Sequence, residues 1–217
     1  MTNEPRFLAD LDLGKLQDHS ALAIVERRQY RTGFDHVYWV PIIEWDLRIR
    51  RLVRFPLHTS YRDLMTLVEK ELHHPELGIT TPLIVDATGP GEVFLDFLRG
   101  SAIPLVPVNI TSGGHVTQSH GRWNVPKSEL VRALAILIEQ EKLGVVRELP
   151  LAHALYEELT HFDARIQPSG HTKFGALDAG GHDDLALAVA LACWYARKLW
   201  PPAPAENPRP SGPILCV

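Results

Sequence analysis

Two adjacent aspartates stand where an apolar, alanine-rich segment begins near the end of the chain. The segment reads GGHDDLALAVALA, with Asp183 and Asp184 directly before its first leucine. A negative charge at a helix N-terminus is favoured by up to about 1 kcal/mol, so capping alone accounts for the pair. A catalytic interpretation requires other carboxylates to reach the same place.

Two further aspartates end short apolar stretches. Asp12 ends FLADLD, and Asp86 ends PLIVD. Strand alternation places Asp10 and Asp12 on one face of the first stretch, and the apolar run before Asp86 is typical of a strand buried on both faces. Taken alone, each aspartate is more simply a turn former or a helix cap. However, open α/β sheets bind ligands at the carboxyl ends of their parallel strands.

Taken together, Asp12, Asp86 and the Asp183–Asp184 pair lie on three separate segments, each at the end of an element. Converging carboxylates repel one another unless a cation neutralises them. Mg²⁺ does this, taking one or two carboxylates per ion together with water and phosphate oxygens. Two such ions about 3.5–4 Å apart form the clamp used for in-line phosphodiester hydrolysis. The pattern therefore favours a two-metal phosphodiesterase site.

Strand and helix patterns alternate in a way that would position these residues. Strand patterns come first, in RFLADLDLG, SALAIVERRQ, HVYWVPIIEWD and RLVRFPL. Helical spacing begins at Tyr61 and recurs in later segments of the chain. Two further strand patterns, PLIVD and PLVPVNIT, lie among these helical segments. A Gly- and polar-rich loop, Ser112 to Asn124, is predicted to border the cleft. We predict one α/β domain over residues 1–200, with a mixed sheet flanked by helices. The proline-rich segment 201–217 is predicted to be a flexible tail.

Composition excludes several classes of protein. No apolar run approaches the ~20 residues of a membrane span, and the acidic N-terminus has no signal-peptide core. Cys193 and Cys216 provide no disulfide framework, so a cytoplasmic location is expected. The net charge of −4 does not indicate a nucleic-acid binder. Arginines are nevertheless clustered, and form either a local basic stripe or a solvated strand face: Arg27, Arg28, Arg31, Arg48, Arg50, Arg51 and Arg54.

The chain resembles a known family in five ordered stretches: LADLDLGKLQDHSALAIVE, LIVDATGPGEVFLDFL, VNITSG, NVPKSELVRAL and GALDAGGHDDLALAVALA. They are similar to the nuclease domain of phage large terminase subunits, which belongs to the RNase H-like (retroviral integrase-like) superfamily. The resemblance implies an RNase H-like fold with a central sheet of five or more strands. It also implies a two-metal endonuclease, using Mg²⁺ or Mn²⁺, that cuts concatemeric double-stranded viral DNA during packaging.

The resemblance also assigns roles to individual residues. By position, Asp12, Asp86 and Asp183 would be the catalytic metal-binding triad, with Asp184 as a second carboxylate of the last motif. RNase H enzymes take one ligand from a glutamate of the first helix, a role open to Glu69 or Glu71, although a solvated helix face is the simpler interpretation.

Three other residues have both a functional and a simpler interpretation. Asp18 is a turn residue or orients a metal-bound water. His182 supports the triad or caps the last helix. Lys127 contacts a phosphate or begins a solvated helix.

One departure from the family is large, because the P-loop of the terminase ATPase motor, G-x-x-x-x-G-K-[ST], is absent. An isolated nuclease domain, partnered by an ATPase motor or other packaging proteins, and a free-standing relative are both compatible with this. Two alternatives keep the fold, a RuvC-like Holliday-junction resolvase and an RNase H-like nuclease. A third is a non-catalytic interaction module whose proline-rich tail docks a partner.

Overall fold

A computed structural model of the chain describes residues 6–14, 18–78, 80–146, 148–162, 164–166, 172–174 and 183–199. They form ten strands and five helices. In chain order these are β1 Phe7–Asp12, β2 Ala21–Asp35, β3 Val40–Arg54, α1 Tyr61–Leu72, β4 Leu83–Asp86, α2 Pro90–Leu98, β5 Leu105–Thr111, β6 Thr117–Ser119, β7 Arg122–Pro126, α3 Lys127–Glu139, β8 Leu143–Val145, α4 Ala152–His161, β9 Ala164–Ile166, β10 Thr172–Phe174 and α5 Asp184–Leu199.

Eight strands form one mixed sheet in the order β6–β7–β5–β4–β1–β2–β3–β8, and β9 and β10 pair separately. The first three strands are antiparallel neighbours. β4 is parallel to β1, β5 to β4, and β7 to β5. The carboxyl ends of β1, β4, β5 and β7 therefore share one edge of the sheet.

Alternating side chains of β1 enter two hydrophobic cores, one on each face of the sheet. Leu8 packs on the face covered by α3 and α5, whereas Phe7, Ala9 and Leu11 pack on the face covered by α1 and α2. This is the predicted α/β class, a mixed sheet flanked by helices, and that prediction is confirmed. Separation by face follows directly from the two-residue period of a strand.

The last helix, α5, is almost entirely buried. Its alanines at 186, 188, 190 and 192 have no exposed surface. Short side chains allow the helix to lie close to β1 and β2, which it crosses. Within the described part of the chain, no helix has the length and apolar character needed to cross a membrane.

β2 and β3 each have fifteen residues and continue well past their neighbours. Pairing of β1 with β2 stops at Glu26, and β8 pairs with β3 only over Leu47–Ile49. We call residues 28–46, which lie beyond these pairings, the β2–β3 ribbon. Its turn is closed by Asp35, whose Oδ1 accepts hydrogen bonds from the backbone N–H groups of Val37 (2.7 Å) and Tyr38 (3.0 Å).

The loop predicted from Ser112 to Asn124 is instead largely a hairpin formed by β6 and the start of β7. Ser119 pairs with Arg122, and the two residues between them, His120 and Gly121, have φ of 50° and 75°. Two successive positive φ angles make the tight turn that suits the twist of a hairpin. Because β7 also pairs with β5, this hairpin forms the edge of the main sheet.

Candidate functional site

Asp12 and Asp86 end two adjacent parallel strands at the same edge of the sheet. Leu11 pairs with Val85, so the two aspartates are the next residues along β1 and β4. Both carboxylates are only partly exposed. The strand ends singled out in the sequence are therefore neighbours in the fold.

Asp183 approaches the same edge from α5. It precedes the helix, and its carbonyl accepts the first turn's hydrogen bond from the Leu187 N–H at 2.8 Å. Its side chain points to the start of α3, where Lys127 Nζ lies 3.3 Å from Asp183 Oδ2. The Lys127 ammonium also lies over the ring of Phe162, 5.7 Å from the ring centre.

The pKa of Asp12 is shifted by the charges that meet at this edge of the sheet. Burial raises the pKa of Asp12 well above its usual value, and the negative charges of Asp86, Asp183 and Asp184 raise it further. Lys127 acts in the opposite direction. The positive charge of Lys127 therefore offsets only part of the negative charge of these carboxylates, as expected of a site that needs a further cation.

Asp10 is a carboxylate that motif reasoning did not select. It has no exposed surface, and within the described residues neither carboxylate oxygen has a hydrogen-bond partner. Burial raises the pKa of Asp10 well above its usual value, followed by the charges of Asp12 and Asp86. Strand alternation already placed it on the face of Asp12, but only the packing of α5 shows that it is enclosed.

The turn after β4 holds the Asp86 side chain in place. Asp86 Oδ1 accepts the Thr88 N–H at 2.9 Å, and Thr88 Oγ1 accepts the Ile110 N–H of β5 at 3.0 Å. The chain then folds back so tightly that a Cβ on Gly91 would lie 1.7 Å from the Asp86 carbonyl oxygen. Only glycine permits α2 to start there.

Asp184 turns away from Asp183 and is held by Arg54, the last residue of β3. Arg54 Nε donates to Asp184 Oδ2 at 2.6 Å and Arg54 Nη2 to Oδ1 at 3.1 Å. Arg54 also bonds the carboxylate of Glu158 in α4, and Glu158 Oε2 accepts the Ala186 N–H at 2.8 Å. The sequence identified Arg54 only as one of the clustered arginines and did not single out Glu158.

Asp18, Glu69 and Glu71 are the other predicted residues that the structure describes. Asp18 is exposed in the turn after β1, and His182 lies outside the described residues. Glu71 forms an ion pair with Arg51 of β3. Glu69 lines a cavity of about 540 Å³ with residues that precede β4 and β5, at the edge of the sheet opposite Asp86. Neither glutamate joins the aspartates.

Most arginines of the predicted stripe form ion pairs with carboxylates. Arg28 and Arg48 both bond Asp46, at 2.8 and 3.2 Å. Arg50 lies 3.4 Å from Glu26. Arg51 pairs with Glu71 of α1, and Arg54 pairs with Asp184 and Glu158. Whether the cluster acts as a basic stripe or as a solvated strand face stays a prediction.

The donor set suits a hard divalent cation. Asp12, Asp86 and Asp183 offer only carboxylate oxygens, the ligand type that Mg²⁺ and Mn²⁺ prefer. Their mutual repulsion, which raises the pKa of Asp12, indicates a deficit of positive charge. As the side chains stand, no three His, Cys, Asp or Glu residues in the described ranges are already arranged around a metal position. A metal ion could bind here only if these carboxylates moved closer together.

Solved structures with the same arrangement of elements are large terminase nucleases. That of thermophilic phage G20c, solved with bound magnesium, aligns with a TM-score of 0.60 at 21% identity, over 88% of this chain and 82% of that chain. The nuclease domain of the large terminase subunit of bacterial virus Sf6 aligns with a TM-score of 0.52 at 12% identity, over 88% of each chain. This chain has their RNase H-like fold. The resemblance read from the sequence is confirmed at that level.

Other comparisons limit how far the likeness extends. No protein-family profile and no curated protein matches the chain. The G20c nuclease was also solved with zinc, and a mutant of the Sf6 domain with manganese. At 12–21% identity these neighbours establish the fold alone, and the activity has to be argued from the site.

Proposed function

We propose that this protein is a metal-dependent nuclease that hydrolyses phosphodiester bonds in double-stranded DNA by a two-metal mechanism. The observation that carries the proposal is the meeting of Asp12, Asp86 and Asp183 at one edge of the sheet, with the pKa of Asp12 raised by its carboxylate neighbours. Repulsion of this kind costs stability unless the cluster binds cations.

Asp12, Asp86 and Asp183 are the proposed ligands for two Mg²⁺ or Mn²⁺ ions, which would supply an activated water and stabilise the leaving oxygen. The rigid ends of β1 and β4 would orient the first two carboxylates. Lys127 would contact a non-bridging phosphate oxygen of the substrate, since its ammonium already lies beside Asp183. Asp18 and His182 are not assigned a direct role.

The substrate assignment rests on the fold shared with large terminase nucleases. By that analogy the substrate is duplex DNA, and the partners are an ATPase motor and other DNA-packaging proteins. No feature of the described site favours a four-way junction or an RNA–DNA hybrid. Both substrates are therefore comparison arms of the test.

The experiment is plasmid nicking in Mg²⁺ and in Mn²⁺, with EDTA as the blank. We expect the wild type to nick only with metal, and Asp12→Asn and Asp183→Asn to be inactive because each removes a ligand. Asp12→Asn should also raise the Tm in EDTA, since it relieves repulsion among the carboxylates. Asp96→Asn, which alters an exposed aspartate of α2, is the matched control and should nick normally.

Nicking that persists in EDTA, or full activity in Asp183→Asn, would refute the proposal. An asparagine caps a helix nearly as well as aspartate, so a purely capping Asp183 predicts survival of activity. Preference for a four-way junction or for a hybrid would move the assignment to a resolvase or an RNase H. A protein with no Tm response to Mn²⁺ would be a non-catalytic module.

A further inference from the structure

The geometry points to Arg54 as a positioning residue that takes Asp184 out of the metal-ligand set and fixes the start of α5, so that Asp183 alone serves the site from that helix. This inference rests on the proposed function, because it states which of the two adjacent aspartates binds metal in that site. Arg54 lies in none of the acidic motifs and is 130 residues from Asp184 in the chain.

The Arg54 guanidinium occupies both oxygens of the Asp184 carboxylate. Each of its two oxygens accepts one hydrogen bond from the Arg54 guanidinium, at 2.6 and 3.1 Å. The Asp184 side chain is only 5% exposed and that of Arg54 22%. A bidentate pair this enclosed is geometrically specific, and losing Arg54 would leave the buried Asp184 carboxylate without its cation.

The same guanidinium also connects Asp184 to α4, through Glu158. Arg54 bonds Glu158, and Glu158 accepts the N–H of Ala186, one of the amide groups that the first turn of α5 leaves without an intrahelical acceptor. β3, α4 and α5 are thereby tied at one point. Adjacent aspartates consequently point to different cations, Asp183 to Lys127 and Asp184 to Arg54.

Loss of Arg54 should therefore weaken metal binding indirectly, by moving the start of α5. Without the guanidinium, Asp184 and Glu158 become two buried carboxylates with no cation between them. Their repulsion would displace the start of α5 and with it Asp183, although Arg54 touches neither Asp183 nor Asp12 in the described contacts. Removing the charge of Asp184 as well should restore the helix position.

The experiment is a double-mutant cycle with Arg54→Gln, Asp184→Asn and the double variant, read by Mn²⁺ titration calorimetry and by plasmid nicking. We expect Arg54→Gln to weaken Mn²⁺ binding by about 10–100-fold, the range seen when a supporting residue is lost. Asp184→Asn alone should bind Mn²⁺ and nick nearly as the wild type does. The double variant should regain most of the affinity lost in Arg54→Gln.

Arg51→Gln is the matched control, since it removes another β3 arginine and its ion pair with Glu71 on the other face of the sheet. It should leave Mn²⁺ affinity unchanged. If Arg54→Gln does not fold, Arg54→Lys is the second variant. It keeps the positive charge but cannot bond both Asp184 oxygens in the same way, so it should bind Mn²⁺ with intermediate affinity.

The outcomes separate the two proposals. A wild type that neither binds Mn²⁺ nor nicks DNA refutes the nuclease itself. A wild type that does both, with Asp184→Asn losing Mn²⁺ binding as completely as Asp183→Asn, makes Asp184 a ligand and overturns only the inference. Unchanged Mn²⁺ affinity in Arg54→Gln, or no recovery in the double variant, overturns it as well.

Discussion

Lys127 Nζ lies 3.3 Å from Asp183 Oδ2, across the gap between the starts of α3 and α5. The lysine is the first residue of its helix and follows β7 directly, so the sheet sets its position. It lowers the pKa of Asp12, against the larger upward effects of burial and the neighbouring aspartates. The ammonium thus belongs electrostatically to the acidic site.

We expect Lys127→Gln to reduce nicking by about 100-fold, the scale of losing one charged donor to a developing anion. The metal-free protein should also lose stability, because nothing then offsets the carboxylates from this side. Single-turnover nicking and melting in EDTA are the measurements. Lys70→Gln, at an exposed position of α1, should change neither. Equal nicking by both variants would place Lys127 outside the chemistry.

Asp10→Leu should raise the Tm at alkaline pH. The pKa of Asp10 is raised by burial and by Asp12 and Asp86, so its favourable contribution is present at low pH and is lost as pH rises through the folded-state pKa. Leucine does not ionise, so the variant avoids this loss of stability. A gain of about 1 kcal/mol in the free energy of unfolding corresponds to a rise in Tm of about 2–4 °C in a chain of this size. Melting curves at a series of pH values should show a difference in Tm between the variant and the wild type that grows as pH increases. A parallel offset at every pH would contradict this.

Glu158→Gln should flatten the dependence of stability on pH. Burial raises the pKa of Glu158 from 4.5 to about 7, so the wild type should lose stability between those values as pH rises. Glutamine still accepts the Ala186 N–H but does not ionise. Chemical denaturation at several pH values measures the effect. The variant of its exposed neighbour, Glu157→Gln, should retain the wild-type slope.

Gly91→Ala should damage both the fold and the site. The added Cβ meets the Asp86 carbonyl oxygen at 1.7 Å, so the turn that holds Asp86 must move, at a cost of about 1–3 kcal/mol. Nicking should fall with it. Gly100→Ala, where an added Cβ meets nothing within 4 Å, is the matched control for denaturation and nicking. A Gly91→Ala protein with wild-type stability would show that the turn is compliant.

The sequence supported the placement of Asp12, Asp86 and Asp183 because Asp12 and Asp86 end strands and Asp183 directly precedes a helix. Such boundaries can be recognised from local apolar patterns. It could not reveal the Arg54 network, whose members are separated by 104 and 130 residues and meet only through tertiary packing. Enclosure of Asp10 was hidden for the same reason. Strand alternation gives the face of a residue but not what covers it.

The β6–β7 hairpin was missed for a different reason. Its turn signal, His120–Gly121, lies in a stretch with three glycines, and the flanking strand segments are short and polar. Short polar strands carry little periodic signal, and β7 gains its place by pairing with β5.

The β2–β3 ribbon carries its outer end far from the acidic edge. Tyr30 is nine residues beyond Ala21, about 30 Å along the strand from the acidic edge. Between Tyr30 and Ile43 the two strands pair only with each other within the described chain, and Trp39 is 76% exposed. No residue from 30 to 43 belongs to either hydrophobic core. We therefore expect sequence changes at this outer end to leave both cores and the carboxylates of the site in place.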